Sequence, residues 1–204
     1  MIAASTTTLT CSNGLNFDLL NPTVDDVDFA VICEHLAKAN RYCGATPGKV
    51  FCVAQHTSNG VNAILRATGD RQLAAYFLCH DMPEAVLGDD TTPKKRALSA
   101  IAAQFGVLGP LIAQAFDRLT DNIDDVIHKR AGLPWPPTPE IAAAVKHWDR
   151  VMLASEWRDL MPFDAPYDFG VASDPMQIVP HDSWVDAADE MLALCINLLP
   201  AKAA

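Results

Sequence analysis

The chain has 204 residues, half of them hydrophobic, and its 15 basic and 25 acidic residues give a net charge of -10. This length suffices for one sizeable core, and no stretch approaches the roughly 18 uncharged apolar residues of a membrane-spanning helix. The acidic balance opposes binding to nucleic acid or to an anionic membrane, so a phosphorylated substrate would need a metal or a local basic cluster.

Residues 1–14 form a polar leader, and residues 15–204 are expected to form one domain. The leader has neither the positive charge nor the apolar segment of a signal peptide, which predicts a cytoplasmic protein. The cysteines do not form a Cys-x-x-Cys pair, which favours reduced thiols over a disulfide framework or a zinc ribbon. They are Cys11, Cys33, Cys43, Cys52, Cys79 and Cys195.

Apolar residues recur at helical spacing along most of the chain, and strand patterns are nearly absent. Thr23, with Asp26 three residues on, predicts the start of a first helix that ends near residues 40–44. Further helices are predicted at about 52–67, 70–81, 96–104, 109–130, 138–160 and 183–199. The pattern predicts an all-α fold, a single compact helical bundle with a long loop before its last helix.

Two His-Asp dipeptides stand out. His80-Asp81 ends an otherwise apolar helix, where burial costs each side chain its hydration unless a partner or a cation replaces it. A divalent metal would satisfy both groups. His181-Asp182 instead precedes Ser183, a candidate N-cap of the last helix, and is interpreted as structural.

Two other helices carry candidate ligands. His56 has Gly60 four residues on, which permits close backbone approach, although a lone helical histidine is more often a hydrogen-bonded core or surface residue. Asp149 lies against the apolar face of its helix, near Met152, and the alternative for it is an ion pair with Lys146.

The residues His56, His80, Asp81 and Asp149 together supply two imidazoles and two carboxylates. This mixed set suits one divalent transition metal, namely Mn, Co, Zn, Ni or Fe(II), with Mg as a further option. Such a metal would activate water and draw charge from a phosphoryl oxygen.

Pro83 cannot continue the preceding helix and predicts a short new one through Leu87, so the chain kinks beside the candidate metal site. Glu84 projects from the kink and Asp89 follows in a turn, and these carboxylates are candidate proton acceptor and donor. The alternatives are compensation of a helix dipole for Glu84 and a turn residue for Asp89.

Basic residues are few, which draws attention to Arg41 and to the run Lys94-Lys95-Arg96. Arg41 is a candidate for a bidentate grip on phosphate, and Lys95 for a point charge. At least two residues of the run are expected to be solvated at the start of a helix.

The order His56, His80-Asp81, Asp149 resembles the H…HD…D signature of HD-domain metal-dependent phosphohydrolases. His80 follows His56 by 24 residues, and Asp149 follows Asp81 by 68. The segments around these ligands, together with the run from Asn40 to Thr46, look like the branch of bacterial 5'-deoxynucleotidases and phage HD nucleotide triphosphohydrolases. The resemblance covers roughly residues 15–160.

The resemblance implies an HD-domain bundle with its metal on His56, His80, Asp81 and Asp149. It also implies catalysis by Glu84 with Asp89 beside it, and substrate contacts from Arg41, Tyr42 and Lys95. Three positions depart from the pattern: Tyr42, where tryptophan is usual, and Asp90 and Thr91 after the catalytic turn.

The function so implied is that of a (deoxy)nucleoside 5'-monophosphatase, an enzyme that would use metal-activated water on a small phosphorylated substrate. The alternatives are a deoxynucleoside triphosphate triphosphohydrolase and a non-catalytic metal-binding regulatory module. A two-iron oxygenase would need further ligands, and Asp125 and His128 are expected to be surface residues. The apolar last helix, about 183–199, suggests a homodimer.

Overall fold

The structure is a computed structural model that describes residues 7–106 and 108–200. Residues 1–6 of the predicted leader and residues 201–204 of the predicted domain lie outside this part. Helices dominate what is described, which confirms the predicted all-α fold. They are α1 (Phe29–Lys38), α2 (Val53–Thr68), α3 (Arg71–Cys79), α4 (Glu84–Leu87), α5 (Thr92–Gln104), α6 (Gly109–Ala131), α7 (Pro139–Leu160) and α8 (Trp184–Leu198).

A small β-hairpin precedes the helices. Its strands, β1 (Thr8–Thr10) and β2 (Asn16–Asp18), pair antiparallel with Leu9 opposite Phe17. The hairpin buries Phe17 in the core, because the strand pairing directs this ring toward the helices. Part of the predicted polar leader is therefore ordered chain that packs on the bundle.

The first helix begins later than predicted. Thr23 and Asp26 do form a capping box, but it heads only one 3-10 turn, Val24–Asp26. Asp28 is the true N-cap of α1, because its side chain accepts hydrogen bonds from the first free backbone N–H groups of the helix. The prediction of a long helix from Thr23 was wrong because two N-cap residues, Thr23 and Asp28, lie five positions apart, and their side chains alone do not show which one begins the longer helix.

The other predicted boundaries agree with the structure to within a few residues. Thr138 caps α7, which begins at Pro139, and Ser183 caps α8. The largest difference is at α5, which begins at Thr92 rather than at residue 96, because its early proline lies in the first turn, where no backbone donor is needed.

Helix α2 lies at the centre of the bundle, in contact with α1, α3, α7 and α8. Gly60 of α2 touches the ring of Phe77 on α3, and a β-carbon at this position would overlap that ring. The glycine therefore sets the close approach of the two helices that the sequence suggested. As a result, His56 and His80 face each other with ring centroids 5.6 Å apart.

The long loop between α7 and α8 is bound to the bundle. Arg158 donates hydrogen bonds to the carbonyl oxygens of Asp174 (2.6 Å) and Met176 (2.9 Å). Gln55 of α2 donates to the carbonyl oxygen of Val179 at 2.6 Å. These bonds fix the loop although it has no regular secondary structure.

No helix in the described part of the chain combines the length and the apolar character needed to cross a membrane. Its cysteines are all free thiols, as the sequence predicted. Cys33 and Cys195 come closest, with their sulfur atoms 3.8 Å apart in the core between α1 and α8.

Candidate metal centre

His56 lies on the buried side of α2 and has no solvent-exposed surface. Its Nδ1 atom donates a hydrogen bond to Oε1 of Glu156, a carboxylate of α7 that is equally buried. This bond holds the proton on Nδ1, so the neutral ring presents the lone pair of Nε2 on its other side. The Nε2 atom is buried and has no hydrogen-bond partner among the described residues.

His80 has the same arrangement on the facing helix. Its Nδ1 atom donates to the carbonyl oxygen of Phe77 at 2.6 Å, within the last turn of α3. Its Nε2 atom is likewise buried without a hydrogen-bond partner in the described part of the chain. In their neutral forms both imidazoles, with the proton held on Nδ1, therefore offer a buried Nε2 lone pair to a ligand.

Two carboxylates complete the cluster. Oδ2 of Asp81 lies 3.2 Å from Nε2 of His80 and 3.6 Å from Nε2 of His56. Oδ1 of Asp149 on α7 lies 3.5 Å from Nε2 of His56, and the carboxylate makes no ion pair with Lys146. The structure thus brings the four predicted ligands together.

The donor atoms have the spacing that one metal ion requires. Ligands about 2.1 Å from a common ion lie about 3 to 3.5 Å apart in octahedral or tetrahedral geometry. The group His56, His80 and Asp81 is able to hold a metal ion, and Oδ1 of Asp149 lies 3.5 Å from one of its donor atoms, Nε2 of His56. The residues present therefore fit a divalent cation with mixed nitrogen and oxygen ligands.

The local field favours positive charge at this point. Burial works to lower the pKa of His80, but Asp81 outweighs it and raises that pKa to about 9. Burial and Arg41 likewise work to lower the pKa of His56, but Glu156 and Asp149 outweigh them, so that the pKa is raised. Burial works to raise the pKa of Asp81, yet His80, His56 and Arg41 lower it. A cation would replace the protons that the two imidazoles otherwise attract.

Arg41 and Tyr42 contact the cluster through Glu156, the carboxylate that holds His56. Arg41 donates from Nε to Oε2 of Glu156 at 3.0 Å, and its Nη1 atom lies 3.8 Å from Oδ2 of Asp81. Tyr42 donates its hydroxyl to the same Glu156 oxygen at 2.7 Å. Both side chains therefore already hold protein groups, and Tyr42 does so with a φ of 56°, a strained value for this residue type.

Glu84 begins α4 after the kink at Pro83, and Asp89 follows the end of that short helix; the charge of Asp81 acts on both carboxyl groups. Glu84 keeps one buried oxygen, Oε2, without a hydrogen-bond partner among the described residues. Burial, with Asp81 and Asp89, raises its pKa to about 9. Burial also raises the pKa of Asp89, because its effect is larger than that of Arg41, which acts to lower this pKa. The surroundings of Glu84 in the metal-free protein therefore favour its protonated form.

The basic run at the start of α5 is exposed at all three positions. Lys94 pairs with Asp90, which confirms the solvated interpretation for that residue. Lys95 forms no ion pair with the described residues, and its charge acts on Asp89, whose pKa it helps to lower. Its ammonium group is therefore a cation that has no ion-pair partner among the described residues and that acts electrostatically on Asp89.

A cleft of about 280 Å³ opens beside the cluster and is bordered by His80 and Asp149. Its wall includes His128, which is only 1% exposed, so the expectation that His128 is a surface residue was wrong. The reason is that α6 turns this side chain inward against Trp135, with ring centroids 4.3 Å apart. Asp125, on the next face of α6, pairs with Lys129 and is partly exposed as expected.

Asp124 is a buried carboxyl group that lines this cleft. The residue is 6% exposed, and its Oδ1 atom has no hydrogen-bond partner within the described residues. Burial raises its pKa to about 8, with His80 acting in the opposite direction. A buried carboxyl oxygen that accepts no hydrogen bond is costly, and carboxyl groups with such perturbed pKa values concentrate at functional sites.

Sequence reasoning missed Glu156 and Asp124. Glu156 follows Asp149 by seven residues, so both lie on one face of α7, and a search of that face would have found it. Asp124 and His128 have the same relation at four residues on α6. The spacing shows which residues share a helix face, but it does not show which other segment that face packs against.

The second His-Asp pair lies apart from the cluster, as predicted. Nε2 of His181 bonds Oε2 of Glu190 at 2.9 Å. Asp182 forms a surface ion pair with Lys49. Both partners are solvent-accessible and neither belongs to the metal cluster, which supports the structural interpretation of this pair.

The chain matches no protein-family model. It is similar to the uncharacterized protein YfdR of Escherichia coli, with 29% identity over 144 residues, 71% of this chain and 66% of that protein. It is also similar to the uncharacterized protein RCAP_rcc00048 of Rhodobacter capsulatus, with 33% identity over 156 residues. That match covers 74% of this chain and 71% of the Rhodobacter protein. At this identity and coverage, the chain belongs to the same protein family as the Rhodobacter capsulatus protein.

Proposed function

We propose that the protein is a metal-dependent phosphohydrolase of the HD type, with deoxynucleoside 5'-monophosphates as its substrate class. One observation carries the proposal: the buried Nε2 atoms of His56 and His80 face two carboxylates and have no hydrogen-bond partner among the described residues. Histidines with a purely structural role would normally have both ring nitrogens satisfied. The four residues also match the H…HD…D order that the sequence resembles.

The ligand set would be His56, His80, Asp81 and Asp149. Two imidazoles and two carboxylates suit Mn, Co, Zn, Ni or Fe(II), with Mg as a further option. A divalent cation, when bound, supplies a Lewis acid and lowers the pKa of water. Glu156 and the carbonyl group of Phe77 orient the imidazoles by holding their Nδ1 protons.

Glu84 is the residue for proton transfer. It is not needed as a ligand, and its Oε2 atom is free to exchange a proton with water or with the leaving group. Asp89 adds negative charge that helps to keep the Glu84 proton in place. A purely structural metal site would have no use for two further carboxyl groups with raised pKa values.

Phosphate would be held from the side of α5. Lys95 offers an ammonium group that no described residue occupies, and Arg41 retains N–H groups beyond the one that it gives to Glu156. A chain with a net charge of -10 needs such local cations to attract an anion.

The test is a panel of deoxynucleoside mono-, di- and triphosphates assayed with Mn, Co, Mg, Zn and Ni in turn. We expect inorganic phosphate from the monophosphates with at least one metal, and no turnover after chelation. Release of tripolyphosphate would instead identify a triphosphohydrolase. Stoichiometric metal binding without turnover on any substrate would overturn the enzyme proposal and favour a regulatory module.

A further inference from the structure

The cleft beside the metal cluster has the features of a ring-binding site. Tyr76, His128 and Trp135 form its aromatic wall, with ring centroids 5.7 Å and 4.3 Å apart in succession. Tyr76 is fixed by a hydrogen bond from its hydroxyl to the carbonyl oxygen of Pro134 at 2.9 Å. A preformed aromatic wall of this kind favours a flat ring that can stack on it.

Asp124 provides the polar contact. It lines the same cleft, its residue is more than nine-tenths buried, and its Oδ1 atom has no hydrogen-bond partner in the described part of the chain. Nδ1 of His128 lies 3.7 Å from Oδ1, which is beyond hydrogen-bond distance, and it donates instead to the backbone oxygen of Asp124 at 2.8 Å. The carboxyl group can therefore accept an N–H from a ligand.

Size and position restrict the ligand further. A volume of about 280 Å³ lies just below the usual range of ligand pockets, about 300–1,000 Å³, and suits one ring system rather than a larger ligand. Because His80 and Asp149 border the cleft, a ligand with its ring inside can present its other end to the metal cluster.

We propose that this cleft binds a nucleobase bearing an exocyclic amino group, stacked against Trp135, with Asp124 accepting the amino N–H. The proposal rests on the proposed function, since it names the part of the substrate that lies away from phosphate. It makes Asp124 and Trp135 specificity-determining residues that read the base rather than residues that carry out the reaction.

The test uses nucleosides, which carry no phosphate and so report on the cleft alone. Binding of 2'-deoxyadenosine and of purine 2'-deoxyriboside, which lacks the amino group, is measured by calorimetry with metal-free and Mn-loaded protein. We expect the wild type to prefer deoxyadenosine by about tenfold, the worth of a hydrogen bond to a buried carboxyl group. Equal binding of the two, or no binding to the folded protein, would overturn the proposal.

Variants locate the effect. Asp124→Leu, which is close in shape to aspartate but has no acceptor, should abolish the preference for deoxyadenosine. Asp124→Asn keeps an accepting oxygen and should retain part of that preference. Asp125→Leu, on the neighbouring face of α6, is the matched control and should preserve it. Trp135→Leu should weaken the binding of both nucleosides by about tenfold, since stacking does not depend on the amino group. A preference that survives in Asp124→Leu would contradict the assignment.

The two proposals fail separately. If deoxyadenosine binds as expected but no phosphorylated compound is hydrolysed, the base site stands and the phosphohydrolase proposal falls. If phosphate esters are hydrolysed equally well whatever group they carry, the enzyme stands and the base site falls.

Discussion

Glu156 and His56 form a hydrogen bond between two side chains that have no exposed surface, from Nδ1 of the imidazole to Oε1 of the carboxylate. Burial works to raise the pKa of Glu156, but Arg41, His56 and Tyr42 together lower it, so the carboxylate is charged. A charged acceptor on Nδ1 fixes the tautomer of the ring and increases the basicity of Nε2. Glu156 is therefore a positioning residue for the cluster.

Glu156→Gln should weaken metal binding by about 10- to 100-fold, because the amide cannot supply the charge that orients His56. Metal affinity measured by chelator competition checks this, together with urea denaturation to show that the variant is folded. Glu190→Gln is the matched control, since Glu190 bonds His181 in the second His-Asp pair. Unchanged affinity in Glu156→Gln would remove the positioning role.

His80→Ala and Asp81→Asn should abolish both metal retention and activity, because each removes one of four protein ligands. Atomic absorption after gel filtration measures the retained metal. His181→Ala and Asp182→Asn should keep both properties, since their partners Glu190 and Lys49 lie at the surface. Metal loss in the second set of variants alone would reverse the assignment of the two pairs.

Glu84→Ala should retain the metal but lower the turnover number by roughly 10²–10⁴, the usual worth of a positioned acid or base. Turnover at full metal occupancy is the measurement. Asp90→Asn is the control, because Asp90 is engaged by Lys94 at the start of α5. An unchanged turnover number would make Glu84 a residue that only compensates a helix dipole.

Arg41→Lys and Lys95→Ala should affect different properties, the first metal affinity and the second substrate binding. Arg41 holds Glu156 and lies near Asp81, so its replacement should reduce metal affinity and activity together, since lysine cannot reproduce the planar fork. Lys95 makes no ion pair with the described residues, so Lys95→Ala should lower kcat/KM about tenfold through KM and leave metal content unchanged. Wild-type kinetics in both variants would show that neither side chain binds the substrate phosphate and that the metal alone holds it.

The stability of the metal-free protein should decrease with pH because of Asp124. Its folded pKa, raised by burial to about 8, exceeds its ordinary value of 3.8, so the folded state binds more protons between these values. The free energy of unfolding therefore falls as pH rises through this window, by up to about 1.4 kcal/mol per pH unit from this group, and levels off above pH 8.

Asp124→Asn should remove that part of the slope in urea denaturation followed from pH 5 to pH 8. Asp125→Asn, which loses only a surface pair with Lys129, serves as the control and should follow the wild type. A slope that is the same in wild type and Asp124→Asn would show that the buried carboxyl group is not protonated in the folded state.

Much of the fold was accessible from the sequence because its determinants are local. Apolar residues at helical spacing predicted α2, α3, α6, α7 and α8, and Thr138 and Ser183 marked helix starts through their own side chains. The kink at Pro83 follows from the proline ring itself. The resemblance of the order His56, His80-Asp81, Asp149 to the H…HD…D signature also predicted which residues would meet.

The tertiary structure alone decided what surrounds those residues. Glu156 meets His56 across 100 positions of sequence, and neither residue has a local feature that indicates the other. The inward turn of His128 and Asp124 depends on how α6 is rotated against the connector that carries Trp135. Helical periodicity fixes the faces of a helix, but the partner of each face depends on packing between segments distant in the chain, and that packing sets the charge, the tautomer and the cleft of this site.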